Sequence, residues 1–310
     1  MKIYSIFDDF DEESILILKN AGIDLTVHPL GVPRPDDMQM KKILYEYDGV
    51  IIGTSQKIKS EMFENIITHK IIATASVGLD HIQIPEDKRS LITIYNTPKA
   101  NAQSVAEYTM GVALSCIKRL AEGDSLYRDG HNNKSLSNKP EDLFGKTIGV
   151  IGAGNISRKI MEYADVLGMK VQYWTAHPKK HVIPYEYVPL EKLIENADVL
   201  SVNLPNNAGT KNFISKDLID KMKSKCIFIS VSRIDTIDLD ALIKRAQSEK
   251  NFYVNVDIDV NGEVVNAIQG KKNVLITPHI AGGTVETRKR MFKEVSEQIV
   301  KGLNYRNFQK

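Results

Sequence analysis

The sequence predicts an α/β protein built of two doubly wound parallel-sheet domains, and three observations carry that expectation. Short β-branched runs alternate with amphipathic stretches from the first residue onward. Each parallel crossover needs a helix to return the chain, so such alternation argues for parallel strands covered on both faces. The alternation falls into two blocks separated by one long helical pattern, and the chain's 310 residues exceed what one typical domain holds.

In the first block, residues 2–7, 24–28, 49–53, 70–75 and 91–95 read as strands, and 13–21, 37–47 and 60–68 as helices. A helix over 104–122 follows, because Val105, Thr109, Val112, Cys116 and Leu120 recur at three- and four-residue spacing on one face. The polar stretch 129–141 reads as a surface connection. In the second block, strands fall at 146–151, 170–174, 198–204, 226–231, 252–257 and 273–276, with helices at 157–167, 190–196, 215–223 and 238–248. Six strands make a complete dinucleotide-binding sheet. The last helix, 284–305, lies beyond the final strand and can return to the first domain, which sets the domains at 1–98 plus 284–310 and at 99–283.

Composition removes several classes of function. Lys and Arg number 41 against 39 Asp and Glu, a net charge of +2 with the signs mixed along the chain, whereas nucleic-acid-binding domains concentrate positive charge on one face. Neither nucleic acid nor an anionic membrane is an expected partner. No run reaches the ~18 apolar residues that span a bilayer, and Lys2, Asp8 and Asp9 stand where a signal peptide would be apolar. Cys116 and Cys226 are far apart in apolar surroundings, as reduced core thiols are, so a cytoplasmic protein is expected. No His/Cys/Asp/Glu cluster has the spacing of metal ligands.

The strongest single motif is Gly152-Ala153-Gly154-Asn155-Ile156-Ser157, directly after the apolar strand ending at Ile151 and opening a helical pattern. The first glycine permits a tight turn, the second lets the backbone approach a pyrophosphate, and the helix N-terminus offers N–H groups and a positive dipole to the phosphates. Ser157 stands where a third glycine is usual. At the end of the next strand, an NAD site places Asp or Glu against the adenosine ribose; here the residue is Thr175, followed by His177, Lys179 and Lys180. A 2′-phosphate would meet no repulsion there and could pair with those bases, so the balance favours NADPH over NADH.

Further motifs fall on strand ends of the second block: Ser230-Val231-Ser232-Arg233, then Asp257, Glu263, and Thr277-Pro278-His279-Ile280. Together with Ala75-Ser76-Val77-Gly78-Leu79-Asp80-His81 and Asn101-Ala102-Gln103-Ser104-Val105-Ala106-Glu107, they resemble the D-isomer-specific 2-hydroxyacid dehydrogenase family over residues 70–283. That resemblance implies a flavodoxin-like substrate domain (1–98 plus 284–310) and a Rossmann NAD(P)-binding domain (99–283), with a nicotinamide cofactor in the cleft between them. It implies hydride transfer between that cofactor and a small 2-oxo acid or D-2-hydroxy acid, glyoxylate and hydroxypyruvate foremost. Hydride addition to a ketone builds negative charge on its oxygen, so a fixed cation and a proton donor must converge on it. By the resemblance, Arg233 binds the substrate carboxylate and polarises its carbonyl, His279 is the acid/base, and Glu263 hydrogen-bonds the imidazole. The backbone at Ser76, Val77 and Gly78 would also receive the substrate carboxylate. Asp257 would contact the nicotinamide carboxamide, and Leu204, Pro205, Thr210, Val231 and Ser232 would lie along the cofactor, with Thr109 a further contact.

Two departures from the family pattern flank these residues. The acid of the segment 257–263 is displaced, so that Asp259 could take the family's aspartate position and shift the register of Glu263. Ile234 replaces the glycine that usually follows the arginine and would be strained if φ were positive there. Two other readings stay open: a cofactor-binding scaffold of corepressor type with little turnover, and a 3-phosphoglycerate dehydrogenase. Family members are generally homodimers, and by that resemblance the 104–122 helix and the 129–141 segment would form the contact.

Overall fold

The computed structural model describes residues 1–178, 183–259 and 262–307. The chain divides into two compact units, Met1–Asn101 with Thr284–Lys310, and Ala102–Gly283. Each is built on one wholly parallel sheet, as the alternation requires.

The first unit has five strands, β1 (Lys2–Ser5), β2 (Asp24–Val27), β3 (Gly49–Ile52), β4 (Lys70–Thr74) and β5 (Ile92–Asn96), in the order β2-β1-β3-β4-β5. That is the flavodoxin-like order, with its reversal between β1 and β3. Helices α1 (Glu12–Asn20) and α2 (Asp37–Glu46) begin where side chains can satisfy free N–H groups. Asp11 accepts from Ser14 N, and Asp36 forms a capping box with Gln39. The expected helix at 60–68 is only a 3₁₀ turn, Ser60–Phe63, which buries Met62 and Phe63 and then ends. Strands β3 and β4 are buried along their whole length. The core is completed by Phe292, Val295 and Ile299 from the C-terminal helix Val285–Asn307. Phe292 lies 4.9 Å from Phe7 and 4.5 Å from Phe10 between ring centroids.

The second unit opens with α3 (Ala102–Ile117) and α4 (Leu120–Arg128). One continuous helix was expected over 104–122. Arg119 interrupts it with a left-handed backbone (φ 57°), while its buried guanidinium donates to Ser137 Oγ (3.0 Å), to Asn251 Oδ1 (3.3 Å) and to the Tyr253 hydroxyl. These tertiary bonds offset the conformational cost of that backbone, and nothing in the local helical pattern signals them.

Seven strands follow: β6 (Thr147–Ile151), β7 (Lys170–Trp174), β8 (Glu186–Tyr187), β9 (Val199–Val202), β10 (Ile227–Ser230), β11 (Tyr253–Asp257) and β12 (Val274–Thr277), in the order β12-β11-β10-β9-β6-β7-β8. Six were expected; the additional one, β8, is a two-residue edge strand too short to carry a periodic pattern. The intervening helices are α5 (Asn155–Val166), α6 (Leu190–Asn196), α7 (Lys216–Asp220), α8 (Leu239–Ser248) and α9 (Gly262–Ile268). The first is amphipathic and buries Ile160, Met161 and Ala164. Helix α7 is shorter than the expected 215–223, and α9 was not expected at all.

Alternate residues of each central strand feed two separate cores. Ile148, Val150, Val199, Ile227 and Ile229 join one, while Ile151, Leu200, Val202 and Phe228 join the other. This period of two on a sheet covered on both faces explains why the strands read as nearly continuous apolar runs. Cys226 is fully buried and free, and burial pushes its thiol up to about 12. No helix among the described residues is long and apolar enough to cross a membrane.

Candidate functional site

Ligands of open parallel sheets bind outside the carboxyl ends of the strands, at the point where strand order reverses. In the second unit that point lies between β6 and β9, and the sequence motifs sit on the loops around it.

The glycine turn after β6 has the geometry its residues require. Gly152 adopts φ 109°, and a Cβ there would stand 2.6 Å from the Asn203 carbonyl oxygen, so any side chain would clash. Gly154 precedes α5 without a side-chain cap, and a Cβ on it would meet open space. The helix N-terminus is therefore accessible to an anion approaching the backbone. Ser157 is fully buried in the place of the third glycine, and its Oγ, which has no hydrogen-bond partner among the described residues, would lie 3.2 Å from a Cβ on Gly152. The serine fits, and the cradle suits a dinucleotide pyrophosphate. Asn155 is exposed at the first turn, whereas Ile156 packs against the core.

Thr175 follows the end of β7, half-buried and beside Trp174, whose ring stacks on Phe213 at 5.2 Å. His177 is exposed; Lys179, Lys180 and His181 lie outside the described residues. The next two loops are braced by hydroxyls. Ser232, buried at the end of β10, accepts from Leu204 N (2.7 Å) and donates to the Val202 carbonyl (3.2 Å). Thr210 donates to the Pro205 carbonyl (2.6 Å) and accepts from Asn207 N (3.0 Å), closing the 205–210 loop on itself. Leu204 and Val231 are half-buried beside these braces, and Pro205 is exposed. Thr109, expected as a cofactor contact, is instead wholly buried within α3, donating to the Val105 carbonyl at 2.8 Å.

Arg233, Asp259 and His279 converge on one line. Arg233 Nη1 donates to His279 Nε2 at 3.3 Å, and His279 Nδ1 donates to Asp259 Oδ1 at 3.0 Å. A guanidinium can only donate, so Nε2 presents its lone pair to Arg233 and the ring proton resides on Nδ1. The partner expected for the imidazole was Glu263; Asp259, two residues past the end of β11, occupies that place, while Glu263 stands exposed on the first turn of α9. The sequence pattern gave no reason to prefer Asp259 because three-dimensional proximity to residue 279, and not chain spacing, decides the pairing.

His279 itself is left-handed, at φ 53°, a conformation uncommon outside glycine. Asp257 holds it there. Buried to 5% exposure, its Oδ1 accepts from Thr277 Oγ1 (2.6 Å) and Ile280 N (2.9 Å), and its Oδ2 from Ala281 N (2.8 Å). Both oxygens that were expected to face a nicotinamide carboxamide are thus committed to the turn that carries the imidazole. Two residues of α3 grip the same turn: Ser104 donates to the Ala281 carbonyl (2.7 Å), and the Tyr108 hydroxyl bonds Thr277 Oγ1 and accepts from Asn255 Nδ2 (3.0 Å). Sequence reading missed Tyr108 in this role, although its four-residue spacing from Ser104 placed the two on one helical face. Ile234 opens a 3₁₀ turn, Ile234–Thr236, capped by the Arg233 carbonyl, and is not among the positive-φ residues. The strain expected there does not arise.

In the first unit, the loop after β4 is equally ordered. The Ser76 hydroxyl donates to the Gly78 carbonyl (2.8 Å), the Ser76 carbonyl accepts from Thr97 N (2.9 Å), and Asn96 Nδ2 donates to the Val77 carbonyl (2.8 Å). With the carbonyls tied back, the N–H groups of Val77 and Gly78 have no protein acceptor among the described residues. No group of three or more His, Cys, Asp or Glu among the described residues could hold a metal ion.

A seven-stranded parallel sheet with a glycine turn at its switch point, and with an arginine and a histidine brought together from the ends of the two strands that flank β11, defines a nicotinamide-dinucleotide oxidoreductase of the doubly wound class. Residues 110–281 match the family described as D-isomer specific 2-hydroxyacid dehydrogenase, NAD binding domain. The chain is 32% identical over 301 residues to a hydroxypyruvate reductase of Thermotoga maritima, covering 96% of each protein. It is 28% identical to a glyoxylate reductase of Thermofilum pendens, over 93% of this chain and 88% of that one. Among solved structures, an acyclic imino acid reductase in complex with NADPH and D-Arg superposes with a TM-score of 0.86 at 25% identity, over 98% of both chains. The protein belongs to the D-isomer-specific 2-hydroxyacid dehydrogenase family.

Proposed function

We propose that this protein reduces a small 2-oxo acid, or oxidises the corresponding D-2-hydroxy acid, with Arg233 and His279 as its catalytic pair. The observation that carries this reading is the line Arg233–His279–Asp259 at the carboxyl edge of the sheet. The names of the relatives point the same way, toward glyoxylate and hydroxypyruvate. When bound, the nicotinamide exchanges hydride with substrate C2. Gly152, Gly154 and the first turn of α5 would hold the pyrophosphate; the half-buried Leu204, Thr175 and Val231 would line the remainder, with Ser232, Thr210 and Asp257 bracing the loops.

Arg233 directs its fork at the substrate carboxylate and carbonyl oxygen, where negative charge grows. In reduction the doubly protonated imidazole of His279, its Nε2 no longer accepting from Arg233, delivers the Nε2 proton to that oxygen; in oxidation the neutral ring, protonated on Nδ1, takes the proton there with Nε2. Asp259 keeps the ring turned so that Nε2 faces the reacting oxygen, the part first expected of Glu263. The free N–H groups of Val77 and Gly78, behind Ser76, are suited to the substrate carboxylate. The test is loss of 340 nm absorbance with NADPH and NADH across glyoxylate, hydroxypyruvate, pyruvate and a longer 2-oxo acid. Cofactor binding without turnover of any acid would favour the scaffold reading instead.

The cofactor preferred in this reading is NADPH, since Thr175 offers the 2′-phosphate no negative charge. Thr175→Asp should shift the kcat/KM ratio toward NADH by about tenfold or more; an unchanged ratio would remove the preference. The same reading includes a homodimer through the helical stretch 104–122 and the 129–141 segment, where Leu120 leaves a large apolar surface exposed. Sedimentation at micromolar concentration should give twice the chain mass, and a monomer would exclude it.

A further inference from the structure

Strand β11 carries a polar side chain where its neighbours are apolar. Asn255, wholly buried, stands between Val254 and Val256. Side chains alternate along a strand, so Asn255 and Asp257 share the face opposite those valines. The register sets Asn255 beside Leu275 and Asp257 beside Thr277 of β12. A buried amide or hydroxyl is costly unless it is hydrogen-bonded, and here the linking group comes from α3: the Tyr108 hydroxyl lies between Asn255 and Thr277.

Chemistry fixes the direction of each proton. The Asp257 carboxylate only accepts, so the Thr277 hydroxyl that meets it at 2.6 Å donates. With that proton given to Asp257, Thr277 Oγ1 accepts from the Tyr108 hydroxyl. The phenol oxygen in turn accepts from Asn255 Nδ2 at 3.0 Å. The second Nδ2 proton goes to the Leu275 carbonyl, also at 3.0 Å, which settles the way the amide faces. Asn255, Tyr108, Thr277 and Asp257 therefore form a one-way relay that ends on the carboxylate. Burial raises the phenol above its ordinary value, against the pull of its bonds to Thr277 and Asn255, so it stays a donor through the neutral range.

What the relay holds is the turn under the imidazole. Asp257 also accepts from Ile280 N (2.9 Å) and Ala281 N (2.8 Å), the two amides that follow His279 and its left-handed backbone at φ 53°. That conformation aims Nε2 at Arg233 and Nδ1 at Asp259. Without the Tyr108 hydroxyl, Thr277 Oγ1 is released to turn away, and the carboxylate that orders the turn loses one of its three donors. A displacement of about 1 Å at a reacting group is worth about 10²-fold in rate, whereas one buried hydrogen bond is a small part of the stability of a fold. A positioning role therefore shows in kcat before it shows in stability.

We propose that Tyr108 is a positioning residue for the acid/base: its phenol, oriented by Asn255, sets the His279 imidazole through Thr277 and Asp257. The inference rests on the reading of His279 given above and adds a residue of α3 to it. The full-length protein is assayed with glyoxylate and hydroxypyruvate and the better of NADPH and NADH. Wild type is compared with Tyr108→Phe, Thr277→Val, Thr277→Ser, the Tyr108→Phe/Thr277→Val pair and His279→Ala, and cofactor affinity and thermal midpoint are measured on each. Tyr108→Phe should lower kcat about tenfold or more, with KM and cofactor affinity within about twofold of wild type and the midpoint close to it. Thr277→Val should do the same, and Thr277→Ser, which keeps the hydroxyl, should recover most of that loss. The pair should be no slower than Thr277→Val alone, because both changes break one relay. A kcat that Tyr108→Phe leaves unmoved, a loss matched by falls in midpoint and cofactor affinity, or losses that multiply in the pair would overturn the proposal and leave His279 in its role. Turnover retained by His279→Ala, or absent from the wild type, would remove the acid/base reading and this proposal with it.

Discussion

Replacing His279 with alanine should lower kcat by about 10²–10⁴-fold, the range that a positioned acid or base contributes, while leaving nicotinamide binding within a few-fold of wild type. Arg233→Ala should be at least as severe and should raise KM as well, because the guanidinium is proposed to serve both the carboxylate in the ground state and the carbonyl oxygen in the transition state. The double variant should be little worse than either single one, since groups acting on one proton and one oxygen are not additive. Asp259→Asn keeps the shape but removes the negative acceptor of the Nδ1 proton, and should cost about tenfold or more by loosening the imidazole. Glu263→Gln, measured alongside, should cost less. A larger loss at Glu263 than at Asp259 would return the orienting role to the glutamate. Stopped-flow turnover with glyoxylate or hydroxypyruvate, together with a cofactor titration, reads all five variants.

The second large effect is expected in the glycine turn. Gly152→Ala places a Cβ 2.6 Å from the Asn203 carbonyl oxygen in a backbone at φ 109°; the strained conformation alone costs of order 1–3 kcal/mol. Both stability and cofactor affinity should fall. Gly154→Ala separates the two contributions. Its Cβ would meet nothing within 4 Å, at an ordinary extended backbone, so the fold should be unaffected and only close approach of the pyrophosphate should suffer. A thermal midpoint equal to wild type with affinity reduced at least tenfold is the expected signature; unchanged affinity would place the pyrophosphate elsewhere. Trp174 is the single tryptophan, and its carbonyl accepts from Gly152 N at 2.8 Å, so its fluorescence provides the titration signal.

Much of this was legible in the chain because sheet and site use different but compatible signals. The strands of both units could be read from β-branched runs, since burial on two faces makes nearly every position apolar. The glycine turn could be read because its residue types are dictated by backbone geometry. What escaped was set by distant partners. Arg119 breaks a helix for the sake of bonds to residues more than a hundred positions away, and β8 pairs over only two residues. Asp259 meets His279 through the path of a loop and not through any spacing. Asp257 was expected to touch the cofactor, yet its carboxylate serves the turn itself, which no motif distinguishes from a contact to a ligand.

The left-handed backbone of His279 has a consequence for how this molecule divides stability from activity. An imidazole is needed at a place whose conformation suits a residue with no side chain, and Asp257 with α3 compels the mismatch to persist. Glycine at 279 would relieve it. His279→Gly should therefore be an inert protein that melts at or above the temperature of the active one, with an exposed side chain the main contact given up. The turn would then rank as the position where selection for chemistry has most directly opposed selection for a durable fold.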